Sequence, residues 1–209
     1  IKLKEAGIED FILLEKAHEM GGVWRENTYP GCACDVPSAL YSYSFAPNPA
    51  WSRVFAEQKE IKQYLFDVVE HYDVMPHVRL NCEALKAQWC DVENCWIIQT
   101  AQGELRSQFA ILACGPMHEP VLPKVKGIED FKGEIFHSSQ WRHDLDLTGK
   151  RVAVIGTGAS AVQFVPQIQP LVENLTIFQR TAQWILPKSD MPLVKPLRTL
   201  FKLLPITPQ

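Results

Sequence analysis

The chain has 209 residues, a formal net charge of -3, and 46% hydrophobic against 22% charged residues. That balance describes a folded globular protein, and without a basic excess there is no electrostatic footprint for a nucleic-acid or anionic-membrane partner. Six cysteines without a secretory leader, and no apolar run near the roughly 18 residues of a membrane span, predict reduced thiols and a cytoplasmic location.

Ile1 to Ala6 reads as the last turns of a helix, stopped by Gly7 at a position suited to a C-terminal glycine. Phe11 to Glu15 then reads as a buried strand closing on an acid, and Gly21-Gly22-Val23-Trp24 follows. In a dinucleotide-binding βαβ unit, the acid ending the second strand holds the adenosine ribose about 20 residues after a glycine-rich turn. Only fourteen residues precede Glu15. The expectation is a sequence that opens inside such a unit, after its first strand and glycine loop.

Residues 25 to 55 carry Pro30, Pro37, Pro47 and Pro49 among several aromatics, the composition of a stiff binding segment more than of a linker. Cys32-Ala33-Cys34 lies within it. Zinc knuckles need a second ligand pair and thiol redox sites usually use C-x-x-C, so no metal or redox site is expected. Over residues 57 to 72 the apolar positions Ile61, Tyr64, Leu65, Val68, Val69 and Tyr72 follow one helical face. From Val78 onward the period changes to strands, VRLNC, ALKAQWC, CWIIQT and ELRSQFAILA, read as a β-meander that returns to the main sheet at Phe109 to Ala113. Pro116, Pro120 and Pro123 mark residues 115 to 130 as a domain connection.

Arg151 to Ile155 is an apolar strand running into Gly156-Thr157-Gly158-Ala159-Ser160-Ala161, a dinucleotide fingerprint in its G-x-G-x-x-A form. The first glycine permits the tight turn, the second lets pyrophosphate approach the backbone, and the small third residue lets helix pack on strand. Free N-H groups and the positive helix end then face the phosphates. The next strand, Leu175 to Arg180, ends on Arg180-Thr181. A guanidinium there pairs with a 2′-phosphate where an acid would hold a bare ribose, so NADPH is expected over NADH; a solvated surface charge is the other reading of Arg180. Glu15 has the contrary ending, which suits the free ribose of FAD, and Gly22 allows close backbone approach. An acid-ended and an arginine-ended site together suggest a flavin reduced by NADPH. The tail over 195 to 205 reads as a packed helix, with a membrane-surface helix as the alternative.

Between the two sites lies Phe131-Lys-Gly133-Glu-Ile-Phe-His137-Ser-Ser-Gln-Trp141. This resembles the Baeyer-Villiger monooxygenase fingerprint F-x-G-x-x-x-H-x-x-x-W, followed in the family by Pro or Asp. Here Arg142 follows instead, with Asp144 two residues on. The related N- and S-oxidising flavin monooxygenases usually carry Tyr or Phe at the Trp141 place. The likeness runs through GGVW, the YPGCACDVPSALYSYSF segment, ILACG and FQRTAQW, with Cys114 departing from the family's A-T-G.

The resemblance implies an α/β fold of two Rossmann-like dinucleotide-binding domains, for FAD and NADPH, with a β-meander, present here as a partial chain. Residues 1 to 120 would hold the partial FAD domain and meander, and 121 to 209 the linker and the start of the NADPH domain. Asp35 would lie beside the flavin and hydrogen-bond a catalytic arginine, with Trp24 and Tyr41 contacting the flavin cofactor. His137 would orient the linker and not transfer protons; Asp35 and His137 are the candidate catalytic residues that the resemblance implies. The implied activity uses NADPH and O2 to convert a small-molecule ketone to an ester or lactone through a flavin peroxide. A soft sulfur or nitrogen nucleophile as substrate, or a non-catalytic fragment folding around NADP alone, are the alternatives. Relatives of roughly five hundred residues imply a sequence that starts late and ends before the catalytic arginine.

Overall fold

The computed structural model describes residues 1–194, 196 and 198–200. It forms two compact units, one of Ile1–Arg25 with Leu65–His118, the other of Glu26–Tyr64 with the chain from Glu119 onward.

In the first unit, α1 (Lys2–Glu5) ends as its glycine predicts. Gly7 takes a φ of 76°, its N-H bonds Lys4 O at 2.9 Å, and Ile8 N-H bonds Leu3 O at 2.9 Å, the paired bonds of a Schellman cap. The apolar run after it contributes β1 (Leu13–Leu14), which pairs in parallel with β2 (Val78–Arg79). VRLNC therefore belongs to this parallel pair and not to the meander as expected. Pairing continues past the strand ends, Glu15 N-H bonding Arg79 O at 3.0 Å and Cys82 N-H bonding Glu15 O at 2.9 Å. The His77 ring stacks on Phe11 with centroids 4.0 Å apart, fixing the near end of the register.

The meander itself is β3 (Ala84–Cys90), β4 (Cys95–Thr100) and β5 (Gly103–Ser107), antiparallel in that order. Trp89 stands opposite Trp96 and the two rings meet edge to face at 5.8 Å, the kind of cross-strand pair that stabilises a ladder. The expected return strand at Phe109 to Ala113 does not form: these residues lie outside any strand, with Phe109, Ile111 and Leu112 80%, 78% and 84% exposed. A strand is defined by a neighbour that takes up its backbone groups, and among the described residues none pairs with this run, so apolarity alone does not make it a strand.

In the second unit the proline-stiffened segment is held by extended pairings. Ser38 N-H bonds Val54 O at 2.7 Å, Cys34 N-H bonds Ala56 O at 2.9 Å, and Gln58 N-H bonds Cys32 O at 2.9 Å. Trp51, Ala56 and Ile61 are buried beneath it, and the hydroxyl of buried Tyr64 donates to Ala46 O at 2.8 Å. The helical face read over 57 to 72 is α3 (Gln58–His71), which belongs to this unit as far as Tyr64 and to the first from Leu65. Beyond the connection, which contains a short 3-10 turn at Ile128–Asp130, β6 (Arg151–Ile155) and β7 (Asn174–Phe178) pair in parallel in unbroken register. They are joined by α4 (Ala159–Ile168), which buries Ala161, Phe164 and Ile168 on one face. β7 stops at Phe178, so Arg180 lies just past the strand and not within it as the sequence suggests. The expected tail helix lies largely outside the described residues, and no helix among these is long and apolar enough to cross a membrane.

Candidate functional site

The turn after β6 has the features an anion cradle needs. Gly156 has a φ of 106°, closed to most side chains, and a Cβ on either Gly156 or Gly158 would meet nothing within 4 Å. Gly158 is the N-cap of α4 and no side chain caps the helix start, leaving the first-turn N-H groups of Ala159, Ser160 and Ala161 directed outward from the helix. Ala161 is buried at 9% exposure, as the small third residue of the fingerprint should be. Because β6 and β7 are parallel, this turn and the residues after Phe178 share one edge of the sheet. Gln179 Nε2 donates to Thr157 Oγ1 at 3.1 Å and fastens the two together. Arg180 and Thr181 follow at that edge, both exposed.

Asp35 sits exposed at the end of a tightly held loop. Gln163 of α4 grips the residue two before it from both sides: its Oε1 accepts from Ala33 N-H at 3.2 Å and its Nε2 donates to Ala33 O at 2.9 Å. The same Oε1 accepts the Tyr29 hydroxyl at 3.1 Å. Lys188 Nζ donates to Cys34 O at 2.9 Å while lying 4.7 Å over the Phe55 ring. Burial pushes the Tyr29 hydroxyl up to about 12 and raises both the Cys32 and Cys34 thiols. Neither Gln163 nor Lys188 carried a sequence signal beyond a polar residue inside the apolar AVQFV helix and a cation in a proline-flanked stretch. Tyr41 is half-buried, its N-H bonding Ser38 O at 3.0 Å.

In the first unit, Glu15 directs its carboxylate inward as well as along the chain. Oε1 accepts from Ala17 N-H at 2.9 Å and lies 3.3 Å from the guanidinium of Arg25, a residue the sequence had not singled out. Gly21 and Gly22 both have positive φ, and Trp24, in the single-turn α2 (Val23–Glu26), is half-buried with its N-H on Gly21 O at 3.0 Å.

The 131 to 141 motif is built by contacts of its own residues. The Phe131 ring lies over Gly133, where a Cβ would fall 2.5 Å from Cε1, so a larger residue there would have to displace that exposed ring. His137 is the N-cap of the turn Ser138–Gln140, its Nδ1 accepting from Ser139 N-H at 3.2 Å. Trp141 packs edge to face on Phe136 at 5.4 Å and against the buried Phe164 of α4 at 5.2 Å. Arg142, the departure from the family pattern, binds Asp144 through two bonds of 2.8 and 2.7 Å and reaches Glu134 at 3.2 Å. That hydrogen bonding holds the Asp144 carboxyl down at about 2. Among the described residues, no group of three His, Cys, Asp or Glu is arranged to hold a metal ion.

The model of a flavin-binding monooxygenase-like family matches residues 4–196. A Baeyer-Villiger monooxygenase of Streptomyces coelicolor is 47% identical over 207 residues, covering 99% of this chain and 40% of that protein. A second, of Pseudomonas aeruginosa, is 48% identical, covering 99% of this chain and 39% of its own length. Among solved structures, cyclohexanone monooxygenase from Rhodococcus sp. Phi1 bound to NADP+ superposes with a TM-score of 0.87 at 33% identity, covering 97% of this chain and 39% of that one. The chain thus spans about 40% of the length of the curated relatives it matches. Its fold is the α/β, Rossmann-type architecture of these structures, present in part.

Proposed function

Because the chain belongs to the flavin-binding monooxygenase-like family, we propose that it is part of an FAD- and NADPH-dependent monooxygenase that converts a ketone to an ester or lactone. Ketone, O2, NADPH and a proton are consumed; ester, water and NADP+ are formed. When bound, the flavin supplies the two-electron chemistry that links NADPH to O2.

The observation that carries the reading is the shared edge of β6 and β7, where Gln179 ties the glycine turn to the segment ending in Arg180. The open space over Gly156 and Gly158 and the uncapped start of α4 fit a pyrophosphate. In this reading Gly156, whose own N-H bonds Phe178 O at 2.9 Å, makes the turn, the N-H groups of residues 157 to 161 hold the NADPH phosphates, and Arg180 with Thr181 takes the 2′-phosphate. In the first unit, Glu15 takes the adenosine ribose of FAD, with Gly22 and Trp24 against the same cofactor. In the second, Asp35 and Tyr41 carry the flavin-side roles of the family, and His137 orients the connection through its turn. Residues 1 to 120 then supply the flavin side and residues 121 to 209 the NADPH side of the division proposed from the sequence. Trp141, the residue type of the Baeyer-Villiger fingerprint, favours a ketone over a sulfur or nitrogen substrate.

The test is product analysis of the full-length protein with NADPH, O2 and a panel of cyclic and linear ketones beside a thioether. Ester or lactone formed one for one with NADPH oxidised is expected. Sulfoxide alone would replace the ketone reading. Arg180→Ala should weaken NADPH by about 1.5–3 kcal/mol, the range of a charged hydrogen bond, and leave NADH nearly unchanged.

A further inference from the structure

Asp35 is exposed, yet the backbone immediately before it is among the most heavily anchored stretches of the second unit. Its anchors come from far along the chain. Gln163 lies 130 residues from Ala33, and Lys188 lies 154 residues from Cys34. We propose that Gln163 and Lys188 are positioning residues for Asp35, clamping residues 33 and 34 so that the carboxylate is presented at one fixed place and tied to the helix behind the phosphate turn. The proposal rests on the flavin-side role of Asp35 given above.

Three features make the clamp specific. The amide of Gln163 satisfies both backbone groups of Ala33, so neither the residue's height nor its rotation on α4 is free to vary. Gly31 presses against the same helix: a Cβ there would stand 2.9 Å from Gln163 O and 3.0 Å from Gln167 Cγ. Lys188 is itself braced, its ammonium over Phe55 and its chain neighbour Asp190 bound to Arg53 Nε at 2.9 Å and to Phe55 N-H at 3.2 Å. The residues after Asp190 continue the brace, with Val54 N-H on Met191 O at 3.0 Å and Leu193 N-H on Ser52 O at 2.8 Å. α4 begins at Ala159 in the phosphate turn, only four residues before Gln163. One rigid helix therefore carries both the proposed pyrophosphate donors and the grip on the Asp35 loop.

The test uses the full-length protein with Gln163→Met, which keeps the side-chain volume and removes its hydrogen bonds, and Lys188→Met with Lys188→Arg as the rescue. Amide hydrogen exchange of peptide 29–38 is measured beside that of β6 and β7, and flavin reduction by NADPH is followed in a stopped-flow instrument against Asp35→Asn. Each lost bond to residues 33 and 34 should raise exchange in 29–38 by about tenfold, the scale of a single hydrogen bond, with β6 and β7 unchanged and Lys188→Arg restoring protection. The limiting reduction rate should fall as it does in Asp35→Asn, without change in the NADPH dissociation constant, and Gln163→Met should add nothing to Asp35→Asn. Unchanged exchange in 29–38 overturns the clamp. Raised exchange with a normal reduction rate, or losses that multiply in the double variant, overturns its action on Asp35. If the unsubstituted protein takes up no flavin, the monooxygenase reading fails, and the exchange result still decides whether these two side chains hold the loop.

Discussion

Gly31 and Gln163 meet with no room between them: a Cβ added to Gly31 would lie 2.9 Å from the carbonyl oxygen of Gln163, and the glycine's φ is 77°. An alanine would suffer both the left-handed backbone and a contact with main chain that no rotamer relieves. We predict that Gly31→Ala lowers stability by about 2–4 kcal/mol, read as a shift in the urea midpoint at unchanged slope. A loss under about 0.5 kcal/mol would mean that the loop and α4 are not pressed together as described.

Tyr29 keeps its proton in the folded protein up to about 12, chiefly because its hydroxyl is buried, against an ordinary value of 10.0. Unfolded chains give up that proton near 10, so between pH 10 and 12 the unfolded state binds fewer protons and stability falls as pH rises. Stability from this group is complete below pH 10. Equilibrium unfolding of the protein and of Tyr29→Phe across pH 9 to 12 should show a steeper alkaline loss in the unsubstituted protein. Parallel curves would contradict the burial of this hydroxyl.

The cysteines should divide by position. Cys32, Cys34 and Cys82 are buried and Cys114 is exposed, and burial raises the thiols of Cys32 and Cys34. Since the thiolate is the reactive form, brief iodoacetamide treatment at pH 8 should label Cys114 and spare Cys32 and Cys34 until denaturant is added. Mass mapping that finds Cys34 labelled first would refute the packing of that loop.

Ile61 is fully buried, as are Trp51 at 2% exposure and Ala56 at 0%. Ile61→Ala should cost about 2–5 kcal/mol through lost burial and the cavity left behind. The same change at exposed Leu40 should cost under about 0.5 kcal/mol, and a chemical-denaturation comparison of the two checks the core.

How much of this was visible in the residues follows the distance over which each feature is decided. The β6, glycine turn, α4 and β7 unit was legible because an apolar strand, two glycines and a helical face stand within a few dozen neighbouring residues. Gly7 was legible for the same reason, since a cap is a local event. VRLNC looked like one more meander strand because period alone does not name a partner, and the partner is Leu13, more than sixty residues earlier. Phe109 to Ala113 looked like a strand because apolarity was read without asking which segment completes its ladder. The candidate site divides likewise. The fingerprint residues could be named, but Gln163 resembled any helix-surface amide and Arg25 any surface cation, since Ala33 and Glu15 are brought to them only by the fold.

The clamp on residues 33 and 34 also sets a schedule for synthesis. A ribosome releases Asp35 long before it has made Lys188, so the nascent loop must wait for about 150 further residues before both of its anchors exist. During that interval the YPGCACDV stretch lacks first both and then one of its distant supports, Gln163 being made before Lys188. Assembly of this loop thus trails its own synthesis by the length of chain that separates it from its anchors, however early its residues leave the exit tunnel.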